Sequence, residues 1–174
     1  MISQYDPSVI LHEYGNMVYQ LALVQMKNQT DAEDIFQDVF LQLVKVSPSF
    51  QSRDHAKAWL IRVTLNRCRS YWRSFLWRKT TPLTEETPDP QTDADCADES
   101  GVYETLLELP YTYRSVLHLY YYEDMSIEQI RLALQISYTT AAKRLSRARE
   151  LLRNKLKEGD SYYGDSRNLQ ESRG

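Results

Sequence analysis

SIEQIRLALQISYTTAAKRLSRARELLRNKLK, residues 126–157, decides how this chain is read. Ser126 with Gln129 three positions on is a capping box: the hydroxyl serves the N3 amide, and the glutamine serves the cap amide in return. Ile127, Ile130 and Leu134 then recur at helical spacing, which predicts a short helix over 127–134. Three residues follow, Gln135, Ile136 and Ser137, before a second helical period. Ser137 or Thr139 caps that second helix, and its apolar stripe uses Ala141, Leu145, Ala148, Leu151 or Leu152, and Leu156. Its other faces carry Lys143, Arg144, Arg147, Arg149, Arg153, Lys155 and Lys157 against the single acid Glu150. A helix, a tight turn and a basic second helix form an arrangement that lays the second member in a DNA major groove. Thr139 and Thr140 stand at the helix entry, followed along the exposed face by Lys143, Arg144, Ser146 and Arg147. These side chains donate to phosphates and base edges. A solvated basic face has the same charges; the capped helix and short turn before it favour DNA.

The charge distribution supports that reading better than the total does. The 174 residues sum to −3, yet 55–84 holds seven Lys or Arg and no acid, and 85–108 holds nine acids and no base. The chain is basic, then acidic, then basic again, and in nucleic-acid binding the distribution counts for more than the sum. Cys68 and Cys96, the only cysteines, provide neither a disulfide framework nor a metal spacing. Cys68 falls on an apolar helix stripe as a small core residue. His12, His55 and His118 are scattered and match no metal set. There is no phosphate-cradling glycine loop and no nucleophile–base pairing. The chain is therefore expected to be no enzyme, with no catalytic residue, no cofactor and no metal. The start carries no signal-peptide pattern, and the longest apolar runs are too short to cross a bilayer.

Upstream, Val9, Ile10, Tyr14, Met17, Val18, Leu21 and Val24 predict one amphipathic helix over 8–27. Thr30 or Asp31 caps a second, whose buried face is Ile35, Phe36, Val39, Phe40, Leu43 and Val46 and which Pro48 ends. Asp34, Gln37, Asp38 and Leu41 share its opposite face. A leucine left exposed among acids suits a protein partner, and a plain solvated face equally. After a polar loop over 50–55, a third helix is expected from about Ala56 to Trp77. Ile61, Leu65, Cys68, Trp72 and Phe75 form its buried stripe. Arg62, Asn66, Arg69 and Arg73 form a ridge on another face, with Trp59, Tyr71, Trp72 and Trp77 nearby. A cationic ridge beside aromatic rings is typical of single-strand binding, although Trp59 and Trp72 are expected in the core.

Pro82, Pro88 and Pro90 and the acids around them predict a flexible linker over 78–101. A short helix over 102–109 and another from Pro110 to about Tyr122 lead into the decisive stretch, the latter burying Val116, Leu117, Leu119, Tyr120 and Tyr121. Residues 158–174 are polar, aperiodic and expected to be disordered. The fold class is thus all-α: two small helical bundles joined by a flexible acidic linker, the second containing a helix-turn-helix. A dimeric helix-turn-helix regulator would also suit the second bundle, but has no need of the arginine ridge and acidic helix in the first.

The runs DAEDIFQDVFLQLVK (31–45), AWLIRVTLNRCRSYWR (58–73), LPYTYRSVLHLYYYEDMSIEQI (109–130) and SYTTAAKRLSRARELL (137–152) resemble an extracytoplasmic-function (ECF) sigma factor of bacterial RNA polymerase. The likeness spans about 8–77 and 102–157. It implies that 8–77 is sigma region 2 and 102–157 is sigma region 4. It implies that Asp34, Gln37, Asp38 and Leu41 contact the clamp helices of the largest polymerase subunit, with the polymerase flap as a second contact. The loop carrying Phe50, Arg53 and Asp54, together with Arg62, Asn66, Arg69 and Arg73, would bind and melt the −10 promoter element, with Asn66 at the position tied to a flipped base. Thr139, Thr140, Lys143, Arg144, Ser146, Arg147 and Arg149 would read the −35 element. The implied partners are core polymerase, promoter DNA and an inhibitory anti-sigma factor; the implied location is the cytoplasm, without membrane insertion. The chain departs from the family pattern at Arg131, where a small residue is usual. It departs also at Gln135 and Thr139, where glycine is common, and at Ala142, where a basic residue is frequent.

Overall fold

The computed structural model describes residues 5–78 and 101–168. Among them there are seven helices and no strand. The expected linker, with Cys96 and its prolines, lies outside the described residues apart from Arg78 and Gly101, and so do 169–174 of the tail.

Helix α1 (Pro7–Met26) starts where Asp6 accepts the Ser8 amide and Pro7 presets the first helical φ. It stops at Lys27, which turns left-handed. Helix α2 (Gln29–Val46) is capped by Asn28, whose side chain accepts the Asp31 amide at 2.8 Å. The start therefore precedes Thr30 and Asp31, because asparagine is as good a cap as any residue. Ala32, Ile35, Val39 and Leu43 are its buried stripe; Ser47, left-handed, ends it ahead of Pro48. Helix α3 (Arg53–Arg78) begins three residues before the expected Ala56. Ser52 accepts the His55 amide at 3.1 Å, so Arg53 and Asp54 belong to a first helical turn rather than a loop.

In the second half, α4 (Val102–Leu107) leads to α5 (Tyr111–Tyr121), with Pro110 at the N-cap position. Helix α6 (Ile127–Leu134) has the full capping box of Ser126 and Gln129. Helix α7 (Tyr138–Asn168) continues past Leu156, where the apolar period stops. Once a helix is nucleated, each added residue gains a hydrogen bond, so the end of the stripe does not end the helix.

Packing joins the two halves. Ile10, Val18, Leu21, Val39, Leu43, Leu60 and Ile61 from α1–α3 form one core, and it runs on without a break into Leu119, Met125, Ile130, Ala133 and Ala141. A smaller cluster of Leu106, Leu109, Val116, Leu117, Leu145 and Ala148 ties α4 and α5 to α7. Ile130 and Ala133 of α6 are 1% and 0% exposed, a burial that the helix-turn-helix shares with the first bundle. The two bundles are in contact as well as linked. Tyr121 is 55% exposed, outside the core expected for it, because Tyr120 and Leu119 already occupy the inward positions of that turn.

Candidate nucleic-acid interface

The turn between α6 and α7 is built by two local devices. Gln135 adopts φ 56°, ψ 45°, and its amide closes on the Arg131 carbonyl. This is the left-handed helix end that glycine makes at no steric cost. Ser137 then caps α7: its hydroxyl accepts the Thr140 amide at 3.1 Å and pairs with the Thr140 hydroxyl at 2.8 Å. Thr139 is exposed beside it. Arg131 lies along α6 in a two-point ion pair with Glu128, so its bulk does not enter the interhelical space.

On the outer side of α7, Thr140, Lys143, Arg144, Ser146 and Arg147 line an open groove of about 520 Å³, which Tyr113 and Glu150 complete. Ala141, Leu145 and Ala148 hold the opposite face in the core. The helix thus separates its faces as a recognition helix must. Arg147 reaches Glu150 at 3.0 Å with both side chains more than half exposed, a pairing worth little in water and easily exchanged for a phosphate. Arg149 points elsewhere. Its Nε donates to the Tyr121 hydroxyl at 2.8 Å, and its guanidinium lies 4.9 Å from the Tyr120 ring centre.

The ridge on α3 is present, with Asn66, Arg69 and Arg73 exposed. Arg62 is half-buried. It donates from Nε to the Ala133 carbonyl at 3.3 Å and from Nη2 to the Leu132 carbonyl at 3.4 Å. Arg69 lies 5.5 Å from the Tyr111 ring centre. Arg53 and Asp54 are exposed at the start of α3, Arg53 pairing with Glu13 at 3.1 Å. Phe50 departs from the expected group. It is 5% exposed and held edge-on by Tyr5, His55 and Trp59. The enclosed ring supports the loop from beneath. Trp59 and Trp72 are partly buried against the core, as expected.

Asp34, Gln37, Asp38 and Leu41 all lie exposed on one side of α2. Leu41 is 63% exposed, and Val44 and Val46 are each 58%. Val44 escaped the sequence reading, and Val46 lies outside the buried face of α2 that was expected to include it. Val44 stands three residues after Leu41, a spacing that extends the leucine into an apolar strip. Also unforeseen was a polar set on the first bundle's border with the second: Gln25, Lys57, Arg114 and Ser115. Gln25 Nε2 donates to Ser115 Oγ at 2.8 Å. Arg114, fully buried, donates to the carbonyls of Leu107, Leu109 and Gln25. Their only sequence signal is polar character inside apolar stripes.

Near the same border, Glu123 Oε1 is 3.7 Å from Nε2 of the buried His118. The imidazole, with a smaller contribution from Lys57, holds the Glu123 carboxyl below its ordinary range against the opposing effect of burial. Burial pushes the Cys68 thiol up to about 12. Among the described residues no cluster of acids, cysteines and histidines has a metal-binding arrangement, and no helix is long and apolar enough to cross a membrane.

Comparison with known proteins aligns with both halves. Sigma-70 region 2 matches residues 10–78, and Sigma-70 region 4 matches residues 101–152. The RNA polymerase sigma-E factor of Streptomyces avermitilis is 31% identical over 134 residues, covering 75% of this chain and 73% of that protein. The ECF RNA polymerase sigma factor SigW of Bacillus subtilis is 26% identical over 175 residues, covering 86% and 88%. Among solved structures, the sigma factor RpoE of Bartonella quintana, in complex with the anti-sigma factor NepR, superposes with a TM-score of 0.67. It is 22% identical over 84% of this chain and 94% of that one.

Proposed function

This chain belongs to the sigma-70 family as an ECF sigma factor of RNA polymerase, and from that premise we propose how its surfaces divide the work of promoter-directed initiation. A sigma factor directs transcription initiation by core polymerase; the division of labour among residues is our reading. Residues 8–77 act as region 2 and 102–157 as region 4. The α2 face of Asp34, Gln37, Asp38 and Leu41 docks on the clamp helices of the largest polymerase subunit, and the second bundle meets the flap. Arg53, Asp54, Arg62, Asn66, Arg69 and Arg73 hold the melted −10 strand. Thr139 and the groove of Thr140, Lys143, Arg144, Ser146 and Arg147 read the −35 duplex; Arg149 steadies α7 against Tyr120 and Tyr121.

The observation that carries this reading is the division of cationic surface between two bundles. One set lies on a helix with an open groove, the other on a ridge beside aromatic rings, while a third, acidic and apolar face remains uncovered. No covalent chemistry is required. Strand opening is driven by capture, since a surface that binds unstacked bases better than duplex shifts the equilibrium toward the open form. Tethering both bundles to one polymerase makes the second DNA contact intramolecular. The arginines neutralise phosphates, so promoter binding falls as salt rises. The site of action is the cytoplasm, where polymerase and promoter are. The RpoE structure was solved with an anti-sigma factor, which supports an inhibitor of that kind for this chain as well.

Run-off transcription with core polymerase on genomic fragments tests the reading. The expected result is a set of transcripts with defined starts that depend on the added chain. Transcripts identical with and without it would overturn the proposal.

A further inference from the structure

We propose that Glu150 is a positioning residue for −35 selectivity: it keeps Arg147 off the phosphates and turns the remaining donors of that arginine toward a base edge. This rests on the −35 reading of the α7 groove and assigns a role to the single acid between Tyr138 and Lys157.

Thr140, Lys143, Arg144, Arg147 and Glu150 follow one another at steps of one, three or four residues and all line the groove, so they share one face of α7. Arg147 is the last cation on that face, because Arg149 is already turned away to the Tyr121 hydroxyl. A recognition helix contacts base edges with its N-terminal residues. Arg147 lies about 10 Å along the axis from Thr140, where the helix passes from the bases to the backbone. A guanidinium at that border has two uses. It can take a guanine edge, which rewards one sequence, or a phosphate, which rewards every sequence alike. A cation with no opposing acid gains affinity from both and preference from only one.

Glu150 makes those two uses unequal. Arg147 donates from Nη1 to Glu150 Oε2 at 3.0 Å. That bond occupies one corner of the guanidinium fork and leaves Nε and Nη2, a donor pair that fits the O6 and N7 of guanine. Reading a base in this way keeps the ion pair. Taking a phosphate through Nη1 breaks it, and sets the Glu150 carboxylate against a backbone with one negative charge per about 1.7 Å of duplex axis. The exposed pair contributes little to stability, so its loss alone decides nothing. The discrimination comes from the carboxylate then facing the phosphates. Selectivity is a difference between two affinities, and repulsion of the wrong partner raises it as attraction to the right one does. The acid thus weakens binding to arbitrary duplex more than binding to the −35 element.

Binding by the assembled holoenzyme tests this. The probes are a fluorescein-labelled duplex of a promoter mapped by run-off transcription and the same duplex with its −35 element scrambled. Glu150→Gln keeps the size of the side chain, and both partners are more than half exposed, so the fold is unaffected. The variant should bind the scrambled duplex several-fold more tightly, with a log–log salt slope steeper by about one. The true promoter should gain less, so that the preference between the two duplexes falls about fivefold or more. An unchanged preference, whether both duplexes tighten alike or neither moves, overturns the proposal. In an Arg147→Ala background Glu150→Gln should leave the preference as it is. A preference that still falls there means that Glu150 acts without Arg147, and overturns the positioning role. Arg144→Ala separates this from the reading beneath it. If that variant loses −35 preference, the groove assignment stands whatever Glu150 does; if it does not, the assignment itself fails.

Discussion

Gln25 at the end of α1 donates to the hydroxyl of Ser115 in α5 at 2.8 Å, across ninety residues of chain and out of contact with water. Ser115 in turn donates to the Tyr111 carbonyl. Ser115→Ala leaves the Gln25 amide without its acceptor in a buried place. An unsatisfied buried donor costs about 1–3 kcal/mol, and urea denaturation should register a loss in that range.

Asn66 is exposed in the middle of the ridge, so Asn66→Ala leaves packing intact. It should impair open-complex formation while core binding stays near wild type. Permanganate footprinting and a polymerase pull-down, run together, check this; equal loss of both contradicts the assignment.

Arg144 and Arg147 line the α7 groove. A good arginine–base pairing contributes about 1–3 kcal/mol of discrimination. Arg144→Ala or Arg147→Ala should therefore lower −35 preference about tenfold or more in a gel shift with competing promoters, and the polymerase complex should persist.

Leu41 and Val44 present an apolar strip to solvent on α2. Leu41→Asp removes no core contact, so the melting temperature should stay within a few degrees. Core binding, read by fluorescence anisotropy, should weaken about tenfold or more, as for a truncated interface anchor. Undiminished core binding would move the docking face elsewhere.

Glu123 carries the pH prediction. Its folded pKa lies below the ordinary 4.5, first because of His118 and then Lys57. A lowered carboxyl stabilises the fold above its unfolded pKa, and that contribution is lost as the pH falls through the folded value. The stability gap between wild type and Glu123→Gln should shrink as the pH falls below about 4.5, as urea midpoints taken across the acid range would record.

What was legible in the sequence follows a physical division. The α6 helix and its cap agree with the expectation residue for residue, because a capping box and a 3.6-residue apolar period are properties of neighbours along the chain. The basic face of α7, the α3 ridge and the acidic face of α2 were legible for the same reason. Where two caps competed, local reading missed: Asn28 and Ser52 start their helices before the residues expected to do so. The enclosure of Phe50 and the exposure of Tyr121 were not foreseen, because burial depends on side chains from other elements. Tyr5, His55 and Trp59 close over one, and Leu119 and Tyr120 leave the other outside.

By itself the sequence determined the all-α class, the helix-turn-helix, the two cationic surfaces and, through its resemblance, the family. Each depends on spacing of three or four residues, which a helix converts directly into a shared face. Only the tertiary structure decided that the two bundles touch, that Arg62 is spent on the end of α6, and that Gln25, Arg114 and Ser115 form a buried latch. Those contacts join residues seventy to ninety positions apart, and no local periodicity encodes which distant carbonyl an arginine will find.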